Sequence, residues 1–476
     1  MPRTRLVRHA RVLYGKVLSR KVLSRKILSR KTLSGKIRPG MRRLRGAGRD
    51  AFGLWRHRLL FLVGGVGVGL AAVLMAHLAD AAQGAFRQVL ALSPWLALGI
   101  TPAGFGLCAW LARTVFPNAQ GSGIPQVIAA RQTGQAALRR SLVSLKVAAG
   151  KIVVMSLGLL FGASTGREGP TVQVGAAIMA AAGHLTPERM PGLILAGGAA
   201  GVAAAFNTPL AGIVFGIEEL GRAYEARTGG LIVAAIVAAG LTALALTGNY
   251  TYFGTSDAAL PFGPGWLAVP VLGAVGGLAG GGFARIVILF ARGLPGRLGA
   301  ALARHPIPFA AACGLGVALC GLASGGAVYG TGYEEARALL HGTSQAPLDF
   351  TPLKFLATLL SAISGIPGGL FAPSLSVGAG LGAAVQGLFA DVPVAALVLV
   401  GMVAYLTGAL QAPITAFVIV TEMTQDHALM IPLMVAALIA DAVSKAVCCE
   451  GLYHALAQVL LERAGPPPRP AAAAPH

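Results

Sequence analysis

The sequence predicts an all-α, polytopic membrane protein, and three observations support that fold class. Hydrophobic residues make up 55% of the 476 residues and charged residues only 12%, about half the charged share of a soluble domain. Seven apolar runs contain no Asp, Glu, Lys or Arg: 59–79, 92–112, 190–217, 228–256, 306–333, 355–390 and 392–421. Each reaches the roughly 20 residues that a helix needs to cross a bilayer. The 66 glycines, about twice the usual share, predict many short, tilted and broken helices that pack closely.

Residues 1–51 form a basic segment before the first apolar run. Residues 1–50 hold 17 Lys and Arg against one acid, so they account for +16 of the net charge of +22. By the positive-inside rule this charge predicts a cytoplasmic N-terminus beside a lipid bilayer, and nucleic acid is not expected as a partner. A repeat of KVLSR type at 16–35 advances about 500° per five residues, so it forms no stable apolar stripe. We expect a disordered, lipid-contacting tail, with a specific binding role as the alternative.

The five cysteines predict neither a disulfide framework nor a metal site. Their number is odd, four lie in or beside apolar runs, and none has a histidine at metal-binding spacing. No cofactor is expected. The C-terminal segment 462–476 is rich in Pro and Ala and is expected to be disordered. The membrane body is therefore predicted to span 52–461, with no cytosolic regulatory domain after it.

The body repeats itself at an offset of about 203 residues. Pro170 is followed a few residues later by Val-Gly-Ala, and the same pattern occurs again from Pro373. A second segment, which runs from a Pro to a Glu at 209–218, occurs again at 413–422. Internal repeats with broken helices are typical of transporters, whose ion sites lie near the midplane where helix ends meet. The two halves are predicted to be roughly residues 52–250 and 260–461.

Three Gly-rich turns predict a site for a small anion. In each half the repeated proline follows such a turn and precedes a small-residue helix, as expected for Pro at a first helical position. The free N–H groups and the dipole of a helix start favour anions. GSGIP at 121–125 is a third turn of this kind, and its Ser122 adds a hydroxyl donor.

Glu168, within GREGP at 166–170, is an acid in a chain that is otherwise too apolar for water. A carboxylate at membrane depth costs roughly 2.5–3.5 kcal/mol on insertion scales, and such residues usually line an ion or proton path. A helix-capping role is the alternative. By helical geometry Arg167 points to a different face, so it is not expected to neutralise Glu168. Lys151, in an apolar segment, either compensates charge or extends to an interface.

The motifs GSGIP at 121–125, GREGP at 166–170 and GGLFAP at 368–373 resemble the three signature motifs of the CLC chloride channel and transporter family. They occur in the family's order and spacing, and the resemblance covers about 52–461. It implies a homodimer in the inner membrane, an inverted repeat, and chloride as the transported substrate. The chain is similar to the bacterial chloride/proton exchangers, which have no C-terminal CBS domains.

The resemblance also implies which residues bind chloride. In the family these are the Ser of the first motif, backbone N–H groups at helix starts, and a Tyr near the C-terminus. The corresponding residues are Ser122, Gly123, Ile124, Leu370, Phe371 and Tyr453. Neutral donors bind an anion without trapping it, as permeation requires. For Tyr453 the alternative is an interfacial belt tyrosine. Ser122 implies a preference for chloride over nitrate, because nitrate-preferring plant relatives have Pro there, and the fluoride-exporting branch departs from this pattern.

Two acids match the family's proton-handling positions. Glu168 matches the gating glutamate, whose carboxylate competes with chloride and moves away when protonated. Glu219 matches the acid that relays protons near the cytoplasmic side in proton-coupled members, although Glu218 and Glu219 could also be solvated charges at a helix end. The expected function is chloride/proton antiport, and the alternative is a passive voltage-gated or pH-gated chloride channel. The sequence departs from the family pattern directly after the first motif. GSGIP is followed by Gln-Val-Ile at 126–128, where some bacterial relatives carry acidic residues.

A membrane serine hydrolase is the remote alternative. GASTG at 162–166 formally matches the nucleophile elbow of hydrolases, with Ser164 as nucleophile. That motif needs a preceding strand and a histidine that activates the serine. The preceding segment has the pattern of a membrane helix, and His184 is the one histidine nearby. No enzymatic activity is therefore expected.

Overall fold

Helices supply almost all of the regular structure in the computed structural model of this chain. The structure describes residues 39–183, 186–221, 229–248, 251–343 and 349–465. The chain divides into two units, 1–57 and 58–476, and the first is described only as helical backbone from residue 39. The repeat at 16–35 and residues 466–476 lie outside the described residues.

The helices of the first half surround the first two motifs. In chain order they are α1 (Pro39–Leu92), α2 (Ala97–Thr114), α3 (Ile124–Gln132), α4 (Ala136–Leu142), α5 (Leu145–Leu160), α6 (Glu168–Ala182), α7 (Met190–Phe206), α8 (Pro209–Phe215) and α9 (Gly229–Thr247). The helix α8 continues as a π-helical turn, Gly216–Gly221. The start of α1 at Pro39 lies inside the segment 1–51, for which we expected disorder.

The helices of the second half carry the third motif and the C-terminal tyrosine. They are α10 (Ala268–Arg292), α11 (Gly296–Arg304), α12 (Pro306–Ala323), α13 (Tyr333–Leu340), α14 (Phe350–Ile363), α15 (Phe371–Ala384), α16 (Val394–Leu410), α17 (Pro413–Thr424), α18 (Met430–Val447) and α19 (Leu452–Ala464). The last of these ends three residues beyond the predicted boundary at 461.

Seven helices in the described part of the chain are long and apolar enough to cross a membrane. Four of the charge-free runs correspond to such helices, and the other three runs are broken helix pairs. The search for charge-free runs did not find three of the seven helices: Ala136–Leu160, Pro264–Arg292 and Met430–Val447. Each missed span contains charged residues, so a search for charge-free sequence could not find it.

The breaks have the same design in both halves. Asn207 directly follows α7 and Gln411 directly follows α16, and both residues adopt the left-handed conformation, with φ of 56° and 57°. The next helix begins with Pro209 in the first half and Pro413 in the second. A left-handed residue ends a helix, and Pro is tolerated at a helix start because its missing N–H needs no partner there. The sequence repeat is therefore a structural repeat.

Glycines allow the same close helix crossing in each half. A Cβ atom on Gly197 of α7 would lie 2.3 Å from the carbonyl oxygen of Gly175 of α6. In the second half, a Cβ atom on Gly401 of α16 would lie 2.4 Å from the carbonyl oxygen of Gly378 of α15. The backbones of these helices are thus in direct contact, as at other small-residue crossings in membranes.

Glu218 and Glu422, the two acids of the repeat, bind the two halves to each other. The carboxylate of Glu218 accepts hydrogen bonds of 3.1 and 2.7 Å from two backbone N–H groups in the first turn of α17. The carboxylate of Glu422 accepts bonds of 3.0 and 2.8 Å from two N–H groups in the first turn of α8. An acid at a helix N-terminus is stabilised by these donors and by the dipole. Glu218 is therefore not a solvated charge.

Two glycines of α10 provide a matched test of helix packing against α16. A Cβ atom on Gly280 would lie 2.4 Å from the backbone nitrogen of Ala409, whereas a Cβ atom on Gly282 would meet nothing within 4 Å. We expect Gly280→Ala to lower stability by about 1–3 kcal/mol through overpacking. Gly282→Ala should be neutral or slightly stabilising, because Ala favours helices. Thermal denaturation of both variants in detergent measures the difference, and equal midpoints would contradict the close crossing.

Candidate functional site

The loops of the three motifs are joined by backbone hydrogen bonds. Gly166 and Gly369 pair through two N–H to carbonyl bonds of 2.8 and 2.7 Å, and Gly368 donates to the carbonyl of Gly121 at 3.2 Å. A Cβ atom on Gly369 would lie 3.0 Å from the nitrogen of Gly169, so a side chain would not fit between the loops. The starts of α3, α6 and α15 are therefore held together.

Two buried lysines support the loops. Lys151 is fully buried, and its Nζ donates to the carbonyls of Gly121 at 2.8 Å and Gln120 at 3.3 Å. The expectation that it extends to an interface is wrong, because the carbonyls of the first motif's loop solvate the ammonium inside the protein. Lys354, 203 residues later, is also fully buried and donates to two loop carbonyls at 3.0 Å each. Sequence reasoning missed Lys354, although the repeat offset from Lys151 could have found it.

The helices α6 and α15 begin two residues earlier than predicted. Their first residues are Glu168 and Phe371, so Pro170 and Pro373 are third in each helix and not first. This difference has a simple reason: the first four N–H groups of a helix have no intrahelical partner, so Pro is tolerated throughout the first turn. As a result, the carboxylate of Glu168 belongs to the first turn of α6.

Ser122 and Tyr453 contribute hydroxyl groups to the proposed anion site. The Oγ of Ser122 accepts a bond of 3.3 Å from the N–H of Ile124, which occupies that N–H and leaves the Ser122 hydroxyl hydrogen to donate. Tyr453 is fully buried, so it is not an interfacial belt tyrosine. Its hydroxyl has no hydrogen-bond partner among the described residues, and a buried hydroxyl in that state is a suitable donor for an anion.

Aromatic rings form the apolar wall of this region. The ring of Phe371 lies 5.6 Å from Phe206, 5.8 Å from Phe215 and 6.3 Å from Tyr453, measured between centroids. These four residues come from α7, α8, α15 and α19. In the part of the chain that the structure describes, the backbone N–H groups of Gly123, Leu370 and Phe371 donate to no other group, as expected at helix starts.

Glu168 is fully buried, and its carboxylate is held by a tyrosine that sequence reasoning did not find. Oε1 accepts a bond of 2.7 Å from the hydroxyl of Tyr333. Oε2 has no hydrogen-bond partner in the described chain. It lies so close to Gly166 that a Cβ atom on that glycine would be only 2.1 Å away from it. The carboxylate therefore does not cap its own helix. No local motif marks Tyr333, because it lies 165 residues from Glu168.

Arg167 does not bind Glu168, as predicted. Its guanidinium donates to Asp80 at 3.4 Å and to the hydroxyl of Tyr252. The ring of Tyr252 stacks on that of Tyr333 at a centroid distance of 4.8 Å. A cavity of about 420 Å³ has both tyrosines, Asp80 and Arg167 in its wall. This cavity therefore borders both the exposed Asp80 and Tyr333, the residue that holds Glu168.

Glu219 is buried in the π-helical turn after α8 and is paired with a histidine. Its Oε1 lies 3.1 Å from Nδ1 of His454, and its side chain is 6% exposed. The alternative of a solvated charge is therefore wrong for Glu219 as well. Sequence reasoning also missed His454, although it directly follows Tyr453.

Ser164, the nucleophile of the hydrolase alternative, has no base beside it among the described residues. Its hydroxyl forms a hydrogen bond of 3.0 Å with the hydroxyl of Thr358, and a threonine hydroxyl cannot activate a serine.

The sequence model described as "Voltage gated chloride channel" matches residues 104–445. The chain belongs to this family, the CLC family. A relative from Ralstonia nicotianae, described as "Putative chloride channel protein ClcB-like", is 33% identical over 383 residues, which cover 75% of this chain and 85% of the relative. The CLC chain is therefore a multi-pass membrane transport protein and not an enzyme.

Solved structures share this CLC fold. A slow cyanobacterial Cl⁻/H⁺ antiporter is similar with a TM-score of 0.74 and 26% identity, over 86% of this chain and 98% of that chain. A CLC-type fluoride/proton antiporter has a TM-score of 0.69 and 23% identity, over 83% of this chain and 97% of that chain. A eukaryotic CLC transporter has a TM-score of 0.70 and 21% identity, over 85% of this chain and 74% of that chain. The last two likenesses concern the fold alone.

The bond from Tyr333 to Glu168 can be tested by Tyr333→Phe. The variant removes a hydrogen bond to a carboxylate, which is worth about 1.5–3 kcal/mol. We expect chloride flux to become several-fold faster at neutral pH, because the carboxylate leaves its position beside α15 more readily. The measurement is chloride efflux from liposomes between pH 5 and 8.

A matched control for this variant is Tyr329→Phe, since the Tyr329 hydroxyl donates to the carbonyl of Ala318 and not to Glu168. This control should keep the rate and the pH dependence of the native protein. Identical profiles for Tyr333→Phe and the native protein would show that the Tyr333 hydroxyl does not hold the carboxylate.

Proposed function

We propose that this CLC protein exchanges chloride for protons, with Glu168 as the external gate and Glu219 as the internal proton relay. The observation that carries the proposal is the position of Tyr453 in α19. Its ring lies 6.3 Å from that of Phe371 at the start of α15, and the next residue, His454, contacts Glu219 at 3.1 Å. The proposed anion donor is therefore adjacent in the chain to the residue that contacts the proposed proton relay. The cyanobacterial Cl⁻/H⁺ antiporter, 26% identical, supports the same function.

Chloride would be bound by neutral donors. These are the hydroxyls of Ser122 and Tyr453 and the free N–H groups of Gly123, Leu370 and Phe371. Helix starts add the positive ends of their dipoles without adding a full charge. Of the residues expected to bind chloride, Ile124 is the weakest candidate, because its N–H points to Ser122. Binding by such groups is favourable enough for chloride to enter and weak enough for it to leave.

Coupling would follow from competition between a carboxylate and chloride for the same helix starts. The ionised Glu168 lies beside the start of α15, where it carries the same charge as the transported ion. Protonation removes that charge and the attraction to the helix dipole, so the side chain can leave and chloride can take its place. A proton released from Glu168 would reach the other side by way of Glu219. Each cycle would then move protons and chloride in opposite directions.

Assembly and orientation form part of the same proposal. We infer a homodimer in the bacterial inner membrane, with its N-terminus in the cytoplasm. The charge of +16 in residues 1–50 supports this orientation by the positive-inside rule. Apolar side chains on α8, α17 and α18 are more than a third exposed: Leu210, Ile414, Ile431 and Leu438. Lipid or a second copy of the chain would cover this face.

A passive voltage-gated or pH-gated chloride channel is the second candidate, because the Ralstonia relative carries a channel description. The two candidates are distinguished in liposomes that contain the purified protein and an imposed chloride gradient, with chloride and external pH recorded together. Antiport predicts that protons move against their own gradient while chloride moves down its gradient. Chloride flux without proton movement above the leak of empty liposomes would establish the channel and reject antiport.

The two acids should have separable roles in this assay. We expect Glu168→Gln to keep chloride flux and to lose both pH dependence and proton movement, because an amide neither competes as an anion nor titrates. Glu219→Gln should lose proton movement and keep the pH dependence of chloride flux, because the gate remains. Glu188→Gln, at an exposed acid, is the control and should behave as the native protein. Full coupling in Glu219→Gln would contradict the proposed inner relay.

A further inference from the structure

The pair of Glu219 and His454 joins two elements that are far apart in the sequence. His454 lies in the first turn of α19, and Glu219 lies in the π-helical turn after α8. Nδ1 of His454 and Oε1 of Glu219 are 3.1 Å apart, across a separation of 235 residues. The His454 side chain is 13% exposed and that of Glu219 is 6% exposed. The imidazole is therefore the more accessible of two largely buried groups.

We propose that His454 is the group through which Glu219 exchanges protons with water. The inference rests on the proposed antiport, in which Glu219 relays protons, and it adds a residue to that path. Imidazole is the side chain whose unperturbed charge change lies between pH 5 and 8, so it can both bind and release protons near neutrality. A proton-transfer group must lie within hydrogen-bond reach of its partner, and this pair satisfies that condition.

The proposed step moves one proton and balances its charges. His454 takes a proton at Nε2 from a hydronium ion, which leaves as a water molecule, and becomes an imidazolium. The N–H bond at Nδ1 then breaks as an O–H bond forms at Oε1 of Glu219, so the positive ring and the negative carboxylate both become neutral. The ring then turns over, so that its unprotonated nitrogen faces water and takes the next proton. Because each step is reversible, the same pair releases protons when transport runs in the other direction.

The elements packed against α19 place further charges near the pair. These elements are α3, α10 and α16. Their titratable or charged groups, with those of α19 itself, are Arg131, Arg285, Arg292, Tyr405, Tyr453, Glu462 and Arg463. Arg131 donates to the carbonyls of Leu220 and Gly221 at 2.7 and 3.1 Å, and Arg292 forms an ion pair with Glu450 at 2.5 Å.

Arg131 fixes the backbone that carries Glu219, because its two acceptors are the next two residues of the π-helical turn. The carboxylate of Glu219 is therefore held at a fixed place for the imidazole of His454. The position of His454 beside a fixed turn therefore suits proton transfer as well as a structural hydrogen bond. The two roles predict different pH dependences of proton flux when His454 is replaced.

The test compares His454→Gln with the native protein in liposomes, with proton and chloride flux recorded in the same vesicles from pH 6 to 8.5. Glutamine can still form hydrogen bonds but cannot bind a proton. We expect the ratio of proton flux to chloride flux to fall at least tenfold at pH 8. The deficit should shrink toward pH 6, where protons in water are abundant enough to reach Glu219 directly.

His454→Glu is the second variant, because it restores a group that binds protons. It should recover proton flux that His454→Gln loses. His305→Gln replaces an exposed histidine between α11 and α12, and it should leave the ratio unchanged. A merely structural role for His454 predicts that Gln and Glu behave alike at every pH.

Separate outcomes identify which proposal fails. If the native protein moves no protons, antiport itself is rejected. If the native protein is coupled and His454→Gln has the same flux ratio at every pH, antiport stands and the role of His454 is rejected. A folding defect would lower both fluxes together and leave their ratio unchanged, so that result also counts against the role of His454.

Discussion

The pairing of Gly166 with Gly369 is the contact on which the site depends. Two backbone hydrogen bonds of 2.8 and 2.7 Å join the loops that precede α6 and α15. Because both helices begin immediately after these loops, their unpaired N–H groups and their dipoles lie together. The close approach of Gly369 to Gly169 leaves no room for a side chain between them. The carboxylate of Glu168 therefore lies close to the start of α15 as well as in the first turn of its own helix.

Four charged side chains of the membrane body hold loops and helix starts in position. Lys151 and Lys354, which are fully buried, each bind two loop carbonyls, and Glu218 and Glu422, which are half-buried, each bind the first turn of a helix in the other half. Removing a charge from water is costly unless hydrogen bonds compensate for the loss, and these four charges have such bonds. Their occurrence at equivalent positions of the repeat gives both halves the same internal support.

Glu168 and Glu219 differ from those acids in the partners that they have. The phenol of Tyr333 donates to Glu168, and a phenol keeps its proton at neutral pH, so the bond can position the carboxylate without taking part in proton exchange. His454 lies beside Glu219, with Nδ1 3.1 Å from Oε1, and imidazole is the type of side chain that can both bind and release protons near neutral pH. The partner of Glu168 therefore provides a fixed hydrogen bond, and the partner of Glu219 provides a group that is able to exchange a proton.

Composition alone determined the membrane class, because burying this much apolar sequence leaves few arrangements other than helices in lipid. The repeat and the three motifs predicted broken helices and singled out Ser122 and Glu168, since those signals are local in the sequence, and the family resemblance added Glu219 and Tyr453 as candidates. The sequence could not show that α6 begins at Glu168, because Pro is tolerated throughout a first turn. It also could not identify Tyr333 or His454, whose partners lie 165 and 235 residues away. Only tertiary packing decided those contacts, because hydrogen bonds depend on distance in space and no local pattern records it.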